Sequence, residues 1–147
     1  MDNLENAEAR VGFLESSVYA SGVPVAYVAV IMENGYEPKK IPPRPIFAPT
    51  VKRMREAWRN RSREQGALVL AGQATTSAAL ASLAVEAAQD VQDTIAATTS
   101  PALKRQTIRA RERLKEAGYH IRDTEKPLEA TRYLYDSVTW DTGKADS

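Results

Sequence analysis

The residues of this chain that could perform chemistry are few and lie far apart in the sequence. The only histidine, His120, follows Tyr119 in a polar stretch that reads as a loop. Ser16 and Ser17 could act as nucleophiles, but no base stands near them in the sequence. A lone loop histidine is typical of a solvated surface residue. A small hydrolase that uses His120 is therefore the least supported of the functions open to this chain.

Three carboxylates, Glu86, Asp90 and Asp93, recur three or four residues apart on one predicted helix. Paired carboxylates can bind a metal or act as acid and base, but on the solvent-facing side of an amphipathic helix they usually only add solubilising charge. Metal-ligand spacing, a glycine-rich phosphate loop and cysteine are all missing from the sequence. The sequence therefore predicts that the protein is not an enzyme and holds no metal and no cofactor.

The basic residues are concentrated in two segments, although the chain as a whole carries a net charge of only +1. Residues 39–63 contain nine lysines and arginines against one acid, Glu56, and residues 104–115 contain six against Glu112. Arg55, Arg59 and Arg63 share one face of a predicted helix. Such separation of charge favours contact with an anionic surface, either nucleic acid or an acidic patch on a protein.

A proline-rich segment, residues 41–50, connects the predicted elements on either side of it. Its four prolines each fix their own φ and disfavour helix in the preceding residue, so the segment is extended and stiff. It also carries the apolar side chain of Ile46, which favours burial, and the cationic guanidinium of Arg44. We interpret it either as an ordinary linker into the next helix or as a contact with another subunit.

The elements before and after the proline segment follow from periodicity and from punctuation by glycine and proline. We expect a strand over residues 9–14 and a short buried helix over 25–33, with a strand ending in an Asn34-Gly35 hairpin turn as the alternative. A long helix should begin at Pro49 or Thr50 and run to about Leu70.

The second half of the chain is predicted to contain two further helices and a last strand. A helix over 75–98, capped by Thr76 or Ser77, has an apolar stripe that includes Ala84, Val91 and Ile95. Another should start at Ser100-Pro101 and end before Gly118. Residues 119–126 read as a polar loop, and 133–140 as a strand or a helix-to-strand passage. We expect flexible tails over 1–8 and 141–147.

Several stretches, taken in order, resemble a family of tailed-bacteriophage neck proteins, the tail-completion or head-to-tail joining proteins of the minor tail protein Z type. The matching stretches are Arg10-Val11-Gly12-Phe13-Leu14-Glu15, Tyr19-Ala20-Ser21-Gly22, Pro24-Val25-Ala26-Tyr27-Val28-Ala29, Glu33-Asn34-Gly35, Ile41-Pro42-Pro43-Arg44-Pro45-Ile46-Phe47, Ser100-Pro101-Ala102-Leu103, Thr107-Ile108-Arg109, Lys126-Pro127-Leu128 and Ser137-Val138-Thr139. Asn34 stands where the family usually has an aromatic residue, and Glu129-Ala130-Thr131-Arg132 replaces its apolar-Asp-Thr-Gly.

The resemblance implies a single α+β domain, with a small antiparallel sheet packed against two or three longer helices and an extended proline-rich arm. It implies a structural virion protein that is assembled in the host cytoplasm and forms a ring, typically sixfold, between head and tail. Head-completion or connector proteins and tail-terminator proteins would be its partners, and the ring could contact packaged DNA but no membrane. A nucleic-acid-binding protein acting through the basic helices is the alternative.

A ring requires two different patches on each subunit, so the arm and the basic residues beside it are the natural candidates for one of them. The residues predicted to form this subunit interface are Ile41, Pro42, Pro43, Arg44, Pro45, Ile46, Phe47, Arg55 and Arg59.

Overall fold

The computed structural model describes residues 7–128 and 132–144, which form an α+β fold. In chain order the elements are β1 (Ala7–Phe13), α1 (Val25–Asn34), α2 (Phe47–Leu70), α3 (Thr76–Ala97), α4 (Arg105–Glu116), α5 (Tyr133–Asp136) and β2 (Val138–Lys144), with a short 3-10 turn at Glu37–Lys39 between α1 and α2. The predicted fold class, an antiparallel sheet packed against helices, is confirmed.

The sheet consists of the first and last elements of the chain, paired antiparallel without a bulge from Ala7 opposite Lys144 to Phe13 opposite Val138. Directly opposed residues point to the same face of an antiparallel pair. The face that carries Val11, Phe13 and Val138 packs against α3 and contributes to the core. The opposite face is polar or small, and its residues are Glu8, Arg10, Gly12, Thr139, Asp141 and Gly143.

The hydrophobic core lies between this sheet and the second half of α3. Its members come from α1, the end of the proline segment, α3 and the C-terminal segment, and they are Val25, Ile46, Ala88, Val91, Ile95, Leu128, Leu134 and Val138. Ile46 and Ile95 are completely buried. Helix α3 also packs on α2, and the two helices run antiparallel, because Thr50 contacts Thr94 whereas Arg61 pairs with Glu86.

Three helix ends lie where the sequence predicted them. Gly35, Gly72 and Gly118 follow α1, α2 and α4 with φ of 75°, 70° and 88°, a left-handed conformation that side chains other than glycine adopt at a cost. The helix alternative for residues 25–33 is confirmed over the strand. The helix-to-strand passage after residue 133 is confirmed as α5 followed by β2.

The structure corrects several predicted boundaries. Thr75, one residue before the predicted caps, accepts a hydrogen bond from Ala78 N at 3.1 Å and caps α3. The fourth helix begins at Arg105 and not at Pro101. Helix α2 begins at Phe47, so the extended segment is shorter than predicted.

The predicted tails also need revision. Ala7 and Glu8 belong to β1, and Asp141–Lys144 belong to β2, because each strand provides the other's ladder partners. The remainder of both predicted tails, residues 1–6 and 145–147, lies outside the described residues, as does the Glu129-Ala130-Thr131 part of the predicted departure from the family. Within the described part of the chain, no helix combines the length and apolar character needed to cross a bilayer.

Candidate functional site

The proline segment is joined to the end of α1 by a carboxylate. Glu33 Oε2 accepts hydrogen bonds from Ile46 N at 2.6 Å and Phe47 N at 2.9 Å, and its Oε1 accepts one from Ala48 N at 2.8 Å. Backbone N–H groups at a helix start have no partner inside the helix, and the helix dipole favours a negative charge there. Glu33 therefore caps α2 from another element, because the N-cap residue of α2, Ile46, has no side-chain acceptor.

The backbone of the proline segment lies directly against the end of α1. Arg44 N donates to Met32 O at 2.6 Å, and Tyr36 and Ile41 exchange two backbone hydrogen bonds of 2.9 and 3.1 Å. A Cβ on Gly35 would lie 2.9 Å from Ile41 O, closer than real Cβ atoms come to a backbone atom. Glycine is thus required at this position both by its positive φ and by the close approach.

The side chain of Arg44 points into the protein. It is 6% exposed, and its guanidinium donates from Nε to Pro101 O at 2.8 Å and from Nη2 to Ala102 O at 3.3 Å. Burial lowers the pKa of this guanidinium. Arg44 therefore faces the inside of the subunit, where it fixes the loop before α4. Ile46, two residues further along the chain, is 0% exposed.

The nine residues of the predicted interface thus separate into three groups. Arg44 and Ile46 are buried within the subunit, where Arg44 contacts the loop before α4 of the same chain. Ile41, Pro42 and Phe47 are partly buried, and Phe47 meets Phe13 edge-on with ring centroids 6.0 Å apart. Pro43, Pro45, Arg55 and Arg59 are exposed.

A second arginine repeats the bracing arrangement. Arg111 of α4 donates from Nη1 to Lys126 O at 2.8 Å and from Nη2 to Pro127 O at 3.2 Å. Burial and the nearby Arg44 charge lower the pKa of Arg111, whereas Asp123 acts in the opposite direction. Two neighbouring guanidinium groups therefore fix the loops on either side of α4 through backbone carbonyls. Sequence reasoning counted Arg111 only as part of a basic segment and assigned Arg44 to a subunit interface.

The remaining basic residues of α2 divide between internal and solvent-facing roles. Arg53 donates to Asp90 O and to Thr94 Oγ1, and Arg61 forms an ion pair with Glu86 at 2.9 Å. Arg55, Arg59 and Arg63 are exposed on the helix, as their spacing predicted. The exposed lysines and arginines of α4 are Lys104, Arg105, Arg109, Arg113 and Lys115. Basic surface is therefore present on both helices, but it is smaller than the composition suggested.

The carboxylates that could have formed an acid–base pair have separate partners. Glu86 pairs with Arg61, Asp90 Oδ2 accepts from Trp58 Nε1 at 2.7 Å, and Asp93 Oδ1 accepts from Gln89 at 3.0 Å. His120 is exposed in the loop after α4. Among residues 7–128 and 132–144, no three His, Cys, Asp or Glu side chains converge to hold a metal ion.

Sequence reasoning missed an apolar groove of about 320 Å³ where β1, α2 and α3 meet. Its walls include Ala9 and Val11 from β1, Val51 and Trp58 from α2, and Leu83 and Ala87 from α3. The hydrogen bond to Asp90 fixes the Trp58 ring in this wall. Helical periodicity indicates that the α2 and α3 residues of this groove face inward. Only the three-dimensional structure shows that the two-stranded sheet leaves them partly uncovered.

The chain matches no protein-family model, no curated protein and no solved structure at a significant level. The likeness to phage neck proteins therefore rests on the motifs quoted above and remains a resemblance.

Proposed function

We propose that this chain is a structural virion protein of the phage neck, which forms a ring that joins or completes the tail at the head–tail interface. Its partners would be sister copies of the chain, head-completion or connector proteins and tail-terminator proteins, and packaged DNA could pass through the ring. The protein performs no reaction in this role, and its site is a set of surfaces.

The observation that carries this proposal is the contact between two motifs that the resemblance treats separately. Glu33 and Gly35 belong to one motif, and Arg44 and Ile46 belong to the other. In the structure Glu33 accepts from Ile46 N, while the chain carrying Arg44 approaches Gly35 too closely for a Cβ. The two motifs therefore form one structural unit at the junction of α1 and α2, which agrees with their occurring together in the resemblance.

The brace also changes where a ring interface is expected. Arg44 and Ile46 are buried within the subunit, so they hold the neighbouring surface residues in position but do not themselves lie on the surface. The exposed residues nearest to them are Pro43 and Pro45, with Arg55 and Arg59 further along α2. A rigid surface of this kind can be presented to a partner with little loss of conformational entropy on binding.

The direct test of this function is to locate the chain in an assembled particle. We expect a tagged copy, visualised by gold labelling in electron micrographs of phage particles, to appear at the junction of head and tail. A tag on the major capsid protein serves as the positional control. Label distributed over the capsid, or its absence from purified particles, would contradict the proposal.

A nucleic-acid-binding protein remains the second candidate because α2 and α4 both expose basic residues. Binding through phosphate contacts should fall steeply between about 50 and 200 mM salt. If this function is correct, Arg55→Glu with Arg59→Glu should abolish binding to generic duplex DNA. Arg61→Gln is the matched control, since Glu86 already neutralises Arg61. Salt-insensitive or undetectable binding by the unaltered protein would remove this candidate.

A further inference from the structure

Both outer edges of the two-stranded sheet are open in the described part of the chain. Within residues 7–128 and 132–144, no backbone group of β1 or β2 forms a backbone hydrogen bond outside the β1–β2 ladder. Thr142 N is bonded locally, to Asp141 Oδ1 at 2.8 Å. Neither strand contains proline, and their pairing contains no bulge. Proteins often protect exposed edges with such devices, whereas the protection on these strands is limited to charged side chains such as Arg10 and Asp141. The edges are therefore suited to pairing with further strands.

The side chains beside the two edges are complementary. The apolar groove lies next to β1, on the side of the sheet that faces the helices, and is lined by Ala9, Val11 and residues of α2 and α3. On β2, Trp140 points to this same side of the sheet because it is opposite Val11, and it remains 39% exposed. One edge thus offers an apolar groove and the other offers a large, half-exposed aromatic side chain.

We propose that copies of this chain assemble by strand pairing, with the β2 edge of one copy adding to the β1 edge of the next. This inference rests on the proposed ring function and specifies its subunit contact. A strand added to β1 would direct its Trp140 side chain over the groove, since opposed residues share a face of the sheet. The contact joins two different surfaces, so it propagates from copy to copy and closes into a ring.

Rotation about a ring axis preserves strand direction, so β2 of one copy runs antiparallel to β1 of the next, as it does within the subunit. The resulting structure is a closed antiparallel barrel with twice as many strands as subunits. Closure removes every open edge, which is how barrels solve the edge problem.

The sizes of the two layers decide which face lines the channel. Two strands span about 10 Å of circumference, whereas the two packed helices α2 and α3 span about 16–20 Å. The helices must therefore lie on the longer, outer circumference and the polar sheet face must line the lumen. Strands of a closed barrel are tilted and staggered, so the added β2 is displaced along β1 relative to the register found within the subunit.

Cross-linking between introduced cysteines tests this contact on the full chain, which contains no cysteine of its own. One variant carries Arg10→Cys on β1 and the other Asp141→Cys on β2, so neither can form an intrachain disulfide. After mixing and treatment with a short thiol cross-linker, we expect the mixed dimer to be the dominant covalent product. Ser77→Cys, at an exposed position at the start of α3, is the control for random collision.

The outcomes separate this inference from the proposed function. Oligomers seen by light scattering without the mixed cross-link would overturn strand pairing and leave a neck ring standing. Predominant Arg10→Cys homodimers would indicate a two-fold contact and also overturn it, as would a protein that stays monomeric at all concentrations. Absence of the chain from phage particles would overturn the neck function, but it would not change the cross-link result.

Two further variants address the side-chain part of the contact. Trp140→Ala should weaken self-association by about tenfold or more, as removal of a buried aromatic anchor typically does. Val51→Trp fills the groove from its α2 wall and should weaken association equally without removing a core side chain. Circular dichroism shows whether each variant is folded. Unchanged association of folded Val51→Trp would contradict docking in the groove.

Discussion

Glu33 Oε2 lies 2.6 Å from the backbone nitrogen of Ile46, and this hydrogen bond connects the end of α1 to the start of α2. The same carboxylate accepts from the next two backbone N–H groups. A single side chain therefore sets the position of α2 relative to α1, and the proline segment between them follows a path that both ends constrain.

Removal of the Glu33 carboxylate should destabilise the protein. Glu33→Ala leaves three N–H groups of α2 without their acceptor, and we expect a loss of about 1–3 kcal/mol in the free energy of unfolding. Glu33→Gln should cost less because its amide oxygen can still accept. Urea denaturation followed by circular dichroism measures both. Glu37→Ala, an exposed acid in the adjacent 3-10 turn, is the control and should be near neutral.

Two glycine-to-alanine substitutions should change stability in opposite directions. Gly35→Ala places a Cβ 2.9 Å from Ile41 O at a residue with positive φ, so we expect a loss above about 1 kcal/mol. Gly66→Ala lies within α2 with no heavy atom near its new Cβ, and should add about 0.5–1 kcal/mol. Thermal unfolding of both variants tests the pair. Equal shifts would show that the close approach of the proline segment is not tight.

Arg44 and Arg59 should behave differently although the sequence assigned both to one interface. Arg44→Met removes the donors to Pro101 O and Ala102 O, and should lower the stability of the subunit by about 1–3 kcal/mol at every protein concentration. Arg59→Glu alters an exposed side chain and should leave subunit stability within about 0.5 kcal/mol.

The stability of the isolated subunit is measured by denaturation at low protein concentration, where oligomers dissociate. This measurement applies to both Arg44→Met and Arg59→Glu. Arg44→Lys is the matched variant for charge, since lysine retains a cation but lacks the planar fork that reaches both carbonyls. Equal stability of Arg44→Met and the unaltered protein would return Arg44 to the list of partner-facing residues.

The elements that are specified locally could be predicted from the sequence. Gly35, Gly72 and Gly118 end helices because the left-handed conformation is a property of the residue itself. The stripe of Ala84, Val91 and Ile95 is buried for the same kind of reason, since helical periodicity alone places these residues on one face.

Features that depend on distant partners could not be predicted. Ser100-Pro101 has the signature of a helix start, yet the carbonyls of Pro101 and Ala102 accept from Arg44, which is 57 residues earlier in the chain. Residues 141–144 read as a tail because their strand conformation depends on pairing with β1. Arg44 was assigned to a subunit interface for the same reason, since the sequence near it does not reveal the carbonyls that accept its hydrogen bonds.

The loop after α4 should lose stability at acidic pH through Asp123. Its Oδ1 accepts hydrogen bonds from Lys126 N and Glu125 N, each at 2.8 Å, and these bonds hold the pKa of Asp123 below its usual value. Because the folded pKa is lower than the unfolded pKa of about 3.9, the stabilisation is fully present above that value. It is lost as the pH falls through the lower, folded pKa.

Asp123→Ala should therefore be less stable than the unaltered protein at neutral pH, by about 0.5–1 kcal/mol for an exposed capping carboxylate. The difference should shrink as the carboxylate becomes protonated. Urea denaturation of both proteins from pH 7 down to pH 3 measures it, and a pH-independent difference would show that the loop does not depend on this charge.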